Sequence, residues 1–326
     1  MAAALVAACY LAHISPPIPR SSILSQPVFI EDTDAYSVVY HNNFITKYVH
    51  RALQRHCAVD GRSAAPVDLL AVDETRFLRP ATLGDVVRIQ TTVVHAAARG
   101  ILVADHSLAC MRGDGEFVRA RSFFRLRAAA CADGGGDEAA LGEPRVALPT
   151  WYDLGAAPAG HAGAFAYDLD VWQDELGTTG GLSAGAVLRA FERARTASLG
   201  GPAVLSRLHA ERIKCLVARI DELAFNVCPA RGLPSVRLGE RGLCVRTTAE
   251  VRKARITFEQ RLVCSRAAPA GAAPADQPDA ETATRRVTDA VLARGLVTCL
   301  CVDAESGRMS SPPEWLASRY LLPAQK

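Results

Sequence analysis

EDTDAYSVVYHNNF, residues 31–44, sets acids, two tyrosines, a histidine and two asparagines directly ahead of FITKYVHRALQRH, residues 44–56. In the second segment Phe44, Ile45, Tyr48, Val49 and Ala52 recur at helical spacing and form a broad apolar stripe. The segment therefore reads as a core helix, from about 42 to 56. Polar groups crowded at the mouth of a buried helix are costly unless they are paired or perform chemistry.

The landmarks after the helix return in the second half of the chain. ETRFLRPA (74–81) is answered by ELAFNVCPA (222–230), LGD (83–85) by LGE (238–240), VRIQTT (87–92) by CVRTT (244–248), and SLAC (107–110) by RLVC (261–264). The helical stretch itself lies against AVLRAFERARTASL (186–199). A fixed order of landmarks with a drifting offset is the mark of a duplicated domain with loop insertions. Each copy reads as a short strand (PVFIED; FAYDLDV), one helix, and four long alternating strands. That is too few helices for a parallel βαβ fold, and it predicts an α+β architecture with an antiparallel sheet curled round one central helix. The expected boundaries are a lead-in over 1–25, a first domain over 26–128, a linker over 129–160, a second domain over 161–304 with an insertion at about 266–285, and a tail over 305–326.

Composition excludes several functions. Of 326 residues, 49% are hydrophobic and 22% charged, which is enough apolar content for full cores. The formal charge of +3 comes from scattered basic residues, so no nucleic-acid footprint is expected. Ten cysteines include no C-x-x-C pair, and neither a metal nor a disulfide framework is expected. Thiols used this way point to a reducing, intracellular compartment such as the cytoplasm. Organelle targeting by MAAALVAACYLAHISPPIPRSS is the alternative to a plain lead-in. No apolar run reaches the roughly 18–20 residues of a membrane span.

The opening motif resembles the signature of the hotdog-fold thioesterases, in the branch of the 4-hydroxybenzoyl-CoA thioesterases and related acyl-CoA thioesterases. That signature has an Asp in a D-x-D context, then V-V-Y-H-x-N opening the long helix. The resemblance spans most of 26–128 and 161–304 and is more specific in the first copy. It implies a double hotdog: two antiparallel sheets, each wrapped round one long helix, fused as a pseudo-dimer with pockets at the seam. It also implies hydrolysis of acyl-CoA or acyl-carrier-protein thioesters without a cofactor, in a chain able to form homo-oligomers. Two departures stand out. Family members often have glycine after the catalytic Asp, where this chain has Tyr36 and Ser37, and DELGTTGGLSAG replaces the motif in the second copy.

Thioester hydrolysis needs a nucleophile or base together with donors for the developing oxyanion. Asp34 is the expected carboxylate, either attacking the carbonyl or activating water; read alone, it caps a turn. His41 contacts substrate or orients the loop, and the resemblance assigns the main oxyanion donor to the backbone N–H near it. Tyr40, Asn42, Asn43, Tyr36 and Ser37 complete the expected pocket, with Tyr40 as wall and Asn43 as a tie to a neighbouring loop. Asp32 reads as solvated. Arg76, Arg79, Lys253 and Arg255 are positional candidates for CoA phosphates. In the second copy Asp34 falls on Leu176 and His41 on Ser183, or Asp34 on Asp174 with a two-residue gap, leaving a degenerate site. A hotdog hydratase or dehydratase and a non-catalytic acyl-binding domain are the competing readings.

Overall fold

The computed structural model describes residues 21–34, 38–57, 67–97, 101–111, 115–126, 164–176, 182–225, 242–267 and 287–320. The chain divides into two compact units, Met1–Thr150 with Arg219–Glu222, and Trp151–Ala218 with Leu223–Lys326. The first contains β1 (Ser21–Pro27), β2 (Val67–Phe77), β3 (Val86–Ala97), β4 (Ile101–Cys110) and β5 (Glu116–Leu126). The second contains β6 (Phe165–Asp168), β7 (Ile213–Phe225, apart from its four residues counted with the first unit), β8 (Leu243–Arg252), β9 (Arg255–Ala267) and β10 (Val287–Asp303). Strand order is β1-β3-β4-β5-β2 in the first unit and β7-β10-β9-β8-β6 in the second. Element for element the two orders are the same. The duplication seen in the sequence is therefore a duplication of topology, with antiparallel pairing and few helices.

Register repeats as well as order. Thr91 pairs with His106 across β3 and β4, and Thr247 pairs with Gln260 across β8 and β9. These are the positions that the VRIQTT/CVRTT and SLAC/RLVC matches align. Strand alternation explains the core: Val87, Ile89 and Thr91 are buried while Arg88 and Gln90 are exposed. In the second unit Gln260 is saturated, donating to the Phe191 carbonyl at 2.7 Å and to Thr247 Oγ1 at 3.3 Å, while its Oε1 accepts from Arg195 Nη1 at 2.8 Å. Gly295, opposite Gln260, leaves room for the helix: an added Cβ would stand 3.0 Å from Leu223 Cδ1 and 3.5 Å from Phe191 Cε2.

The two long helices differ in winding. The second runs over Ala184–Leu199 and buries Val187, Leu188, Phe191, Ala194 and Leu199. It ends at Gly200, whose φ of 117° is the left-handed stop that glycine favours. The first covers 41–57 in three pieces: α at His41–Asn43, π at Phe44–Val49 and α at His50–Cys57. Thr46 Oγ1 donates to the Asn42 carbonyl at 3.0 Å and to Asn42 Oδ1 at 3.3 Å. A side-chain donor on that carbonyl competes with the regular α-turn where the wider winding begins.

Several boundaries are corrected. PVFIED is not one strand: β1 ends at Pro27 and Ile30–Asp32 forms a 3₁₀ turn. Strand β1 starts at Ser21, inside the expected lead-in, because it pairs with β3 from Ser21 opposite Thr92 to Pro27 opposite Val86. The expected tail contains the helix Glu314–Tyr320, with Leu316 fully buried and Trp315 donating to both Glu211 carboxylate oxygens. A further helix, Pro202–Ala210, follows the second long helix. The linker 129–160 and most of the insertion at 266–285 lie outside the described residues. No helix among the described residues is long and apolar enough to cross a membrane.

Candidate active site

The D-x-D segment folds as a tight hairpin leading into the first helix. Tyr40 N–H donates to the Asp32 carbonyl at 2.9 Å, Thr33 bridges Val39, and Asp34 N–H donates to the Val38 carbonyl at 2.9 Å. Asp34 Oδ1 accepts the Val38 N–H at 3.4 Å, so the carboxylate stands at the base of the hairpin tip. Residues 35–37, Tyr36 and Ser37 among them, lie outside the described residues. On its other side the returning arm is held by Val39 N–H donating to the Ala81 carbonyl at 2.8 Å and by the bridge from Val38 to Thr82. The helix then starts at His41, the second residue after the Val39 bridge.

Of the expected residues, Asp34, Tyr40, His41, Asn42 and Asn43 stand at this junction, and Lys253 and Arg255 do not belong to this unit. The His41 ring meets Tyr40 edge-on at 4.6 Å and Phe77 edge-on at 6.3 Å. The Tyr40 hydroxyl is buried with no hydrogen-bond partner among the described residues. Asn42 is buried, and Asn43 Nδ2 donates to the Asp32 carbonyl at 3.0 Å, tying the helix start to the 3₁₀ turn. Arg76 and Arg79 flank Phe77 on the segment that borders the hairpin, and Arg76 is paired with Glu74. In the second unit Lys253, at a φ of 52°, lies on the turn between β8 and β9 and Arg255 opens β9, both exposed.

Sequence reasoning missed the group that organises the junction. Asp32 was expected to be solvated and is fully buried. Lys47 Nζ donates to its Oδ1; Tyr48 OH at 3.0 Å and the Phe29 N–H at 3.1 Å donate to its Oδ2. Burial pushes the Asp32 carboxyl upward, but the bonds from Lys47, Phe29 and Tyr48 together hold it below the usual carboxylate range. Burial likewise pushes the Tyr48 phenol up, and Asp32 raises it further. Lys47 gains from the same pairing, its partners outweighing its burial.

The second unit keeps a buried acid and the backbone links at the matching positions, and loses the carboxylate at the hairpin. Ser183 N–H donates to the Glu175 carbonyl at 2.9 Å, Leu176 bridges Leu182, and Trp172 N–H donates to Glu175 Oε2 at 3.3 Å. Glu175 pairs with Arg193 at 2.9 Å. Phe29, Asp32, Thr33, Val39 and Tyr40 thus correspond one for one to Trp172, Glu175, Leu176, Leu182 and Ser183. Both expected alignments are corrected: Ser183 answers Tyr40 and not His41, and Asp174 is an exposed residue of the 3₁₀ turn, opposite Glu31. The position answering Asp34 is Gly177, outside the described residues.

The helix starts differ in the same sense. Ser183 Oγ accepts the Ala186 N–H at 3.1 Å, a side-chain N-cap, whereas Tyr40 supplies no such cap to the first helix. Ser183→Ala is therefore expected to lower stability by about 1 kcal/mol and to leave any hydrolysis by the first unit unchanged, as urea unfolding and a turnover assay would record. Among the described residues no group of acids, histidines and cysteines is arranged to hold a metal ion.

No protein-family model matches the chain, and no curated protein sequence matches it. Solved structures do. The chain is similar to the 12:0-ACP thioesterase from Umbellularia californica at 8% identity, over 86% of this chain and 94% of that one, with a TM-score of 0.50. A Lactobacillus plantarum protein described as an oleoyl thioesterase matches at 7% identity over 86% and 95%, with a TM-score of 0.50. An acyl-ACP thioesterase from Bacteroides thetaiotaomicron matches at 10% identity over 86% and 98%, with a TM-score of 0.49. What the chain shares with the first two is the hotdog fold, over nearly their whole length.

Proposed function

We propose that the chain is a thioester hydrolase acting on acyl-CoA or acyl-carrier-protein thioesters, a double hotdog whose first unit is active and whose second is not. The observation that carries this reading is the contrast between the two hairpin–helix junctions. One has a carboxylate, Asp34, at the hairpin and a helix start without a side-chain cap. The other has glycine at the matching position and a helix start closed by Ser183.

In this reading the thioester carbonyl approaches the first turn of the helix, at the positive end of its dipole. The backbone near His41 stabilises the oxyanion, while Asp34 attacks the carbonyl carbon or takes a proton from the attacking water. The tetrahedral intermediate then collapses with loss of the thiolate. An attacking Asp34 leaves an acyl-carboxylate anhydride for water to cleave; a basic Asp34 leaves the free acid at once. His41, between Tyr40 and Phe77, forms the wall beside the reacting carbonyl, and Arg76 and Arg79 are the candidates for the phosphates of the carrier. A structural neighbour named as a 12:0-ACP thioesterase supports the reaction class.

The test is a panel of aliphatic and aromatic acyl-CoA and acyl-carrier-protein thioesters followed by thiol release, with crotonyl-CoA included. Thiol release from saturated substrates is expected. Hydration of crotonyl-CoA without thiol release would place the chain among hydratases. Binding without turnover of any thioester would make it an acyl-binding protein.

A further inference from the structure

We propose that Asp32 is a positioning residue: gripped by Lys47, Tyr48 and the Phe29 amide, it fixes the angle at which the Asp34 hairpin meets the start of the helix. The proposal rests on the reading of Asp34 as the working carboxylate and adds what holds that carboxylate in place.

The connections form a closed frame. The Asp32 side chain is bonded forward to Lys47 and Tyr48 in the π-wound stretch and back to the Phe29 N–H. Its carbonyl accepts from Tyr40 N–H and Asn43 Nδ2, at the last residue of the hairpin and in the first turn of the helix. One residue therefore joins the 3₁₀ turn, both hairpin arms and two successive parts of the helix, while Asp34 is only two positions away on the same arm. Lys47 and Tyr48 are consecutive, and both reach one carboxylate. Wider winding turns the helix by less per residue, so consecutive side chains splay less than in an α-helix. The π segment Phe44–Val49 thus has a local reason to exist.

Lys47 also bridges Glu31 at 3.1 Å, but that acid is exposed and Asp32 is not. A buried carboxylate with a charged partner and two further donors has little freedom to reorient, which is what precise orientation of a neighbouring reactive group requires. In the unit that lacks the carboxylate at the hairpin, the acid at the matching position, Glu175, is held by Arg193 from a different helix position, and it serves as an internal control.

The experiment compares Asp32→Asn with Glu175→Gln. Both are expected to lower the unfolding temperature by similar amounts. Only Asp32→Asn is expected to lower kcat, by about 30-fold with KM within about 2-fold, the pattern of a group acting in the transition state. Tyr48→Phe removes a single bond to Asp32 and serves if Asp32→Asn does not fold; a kcat loss of about 3-fold to 5-fold is expected. Amide exchange gives a readout that needs no turnover: in Asp32→Asn, Asp34, Val39 and Tyr40 should exchange faster while His50–Cys57 does not. Equal kcat losses in Asp32→Asn and Glu175→Gln, or unchanged kcat and unchanged hairpin exchange in Asp32→Asn, would overturn the proposal. Absence of thioester hydrolysis by the wild type removes the reading of Asp34, and the exchange comparison then decides the fate of the Asp32 frame by itself.

Discussion

Asp34→Asn is expected to lower kcat/KM for the best thioester substrate by about a thousandfold, roughly 4 kcal/mol of transition-state stabilisation. The substitution is nearly isosteric. Asn Oδ1 still accepts the Val38 N–H that Asp34 accepts at 3.4 Å, and the backbone bond from Asp34 N–H to the Val38 carbonyl is untouched. The unfolding temperature should therefore move little. What disappears is the negative charge, and with it both the nucleophile and the base. The two roles separate on the variant and the wild type together. If Asp34 attacks, single turnover of the wild type in ¹⁸O-labelled water leaves label in the carboxylate of Asp34 when the anhydride is cleaved at its protein-side carbonyl; if it is a base, all label enters the product acid. Unchanged turnover in Asp34→Asn would remove the carboxylate from the reaction and favour the acyl-binding reading. His41→Ala gives a milder comparison, since His41 shares its place with the rings of Tyr40 and Phe77.

Much of this architecture was legible in the sequence because it is written in periodicity. VRIQTT and RITFEQRLVC alternate as strands buried on one face must, and the landmark order gave the duplication before any strand pairing was known. The 3₁₀ turn at Ile30–Asp32 was not legible, because its requirement is a single buried carboxylate and PVFIED alternates well enough for a strand. Asp32 was misread for a related reason. Asp is ordinarily solvated, and its partners lie 15 and 16 residues away on a helix where Tyr48 counts as part of an apolar stripe. One signal was present: Lys47 falls inside the stretch that otherwise supplies the stripe, and its charge has to end on something. The alignment of the second site failed because its motif shares almost no residue types with the first. Only the backbone pattern, carbonyl 175 to amide 183 as carbonyl 32 to amide 40, fixes the correspondence.

The same internal comparison gives the other large effect, which concerns stability. His106 is 1% exposed on the inner side of β4, with Nδ1 3.1 Å from Thr91 Oγ1 and Nε2 buried without a hydrogen-bond partner among the described residues. Burial pushes it down from 6.5 to about 3; Asp105 opposes that shift and His56 adds to it. Above pH 6.5 His106 is neutral in the folded and unfolded chains alike, and the stability gained by keeping it neutral is intact. As pH falls below 6.5 the unfolded chain takes up a proton that the folded chain refuses until about pH 3, so stability declines across that window. At pH 4.5 the loss from this residue alone is about 3 kcal/mol, a large share of a typical domain's total. The second unit shows how to remove it: Gln260 stands at the same register position, beside Thr247, and cannot titrate. His106→Gln should therefore unfold in urea with a free energy that changes about 3 kcal/mol less between pH 7 and pH 4.5 than the wild type's. Asp32 does not confuse the measurement, because its lowered carboxyl surrenders stability only as pH falls through a range below the ordinary 3.8. Parallel pH profiles for the wild type and His106→Gln would mean that His106 accepts its proton in the folded chain, either through water reaching Nε2 or through opening of the layer between β4 and the helix.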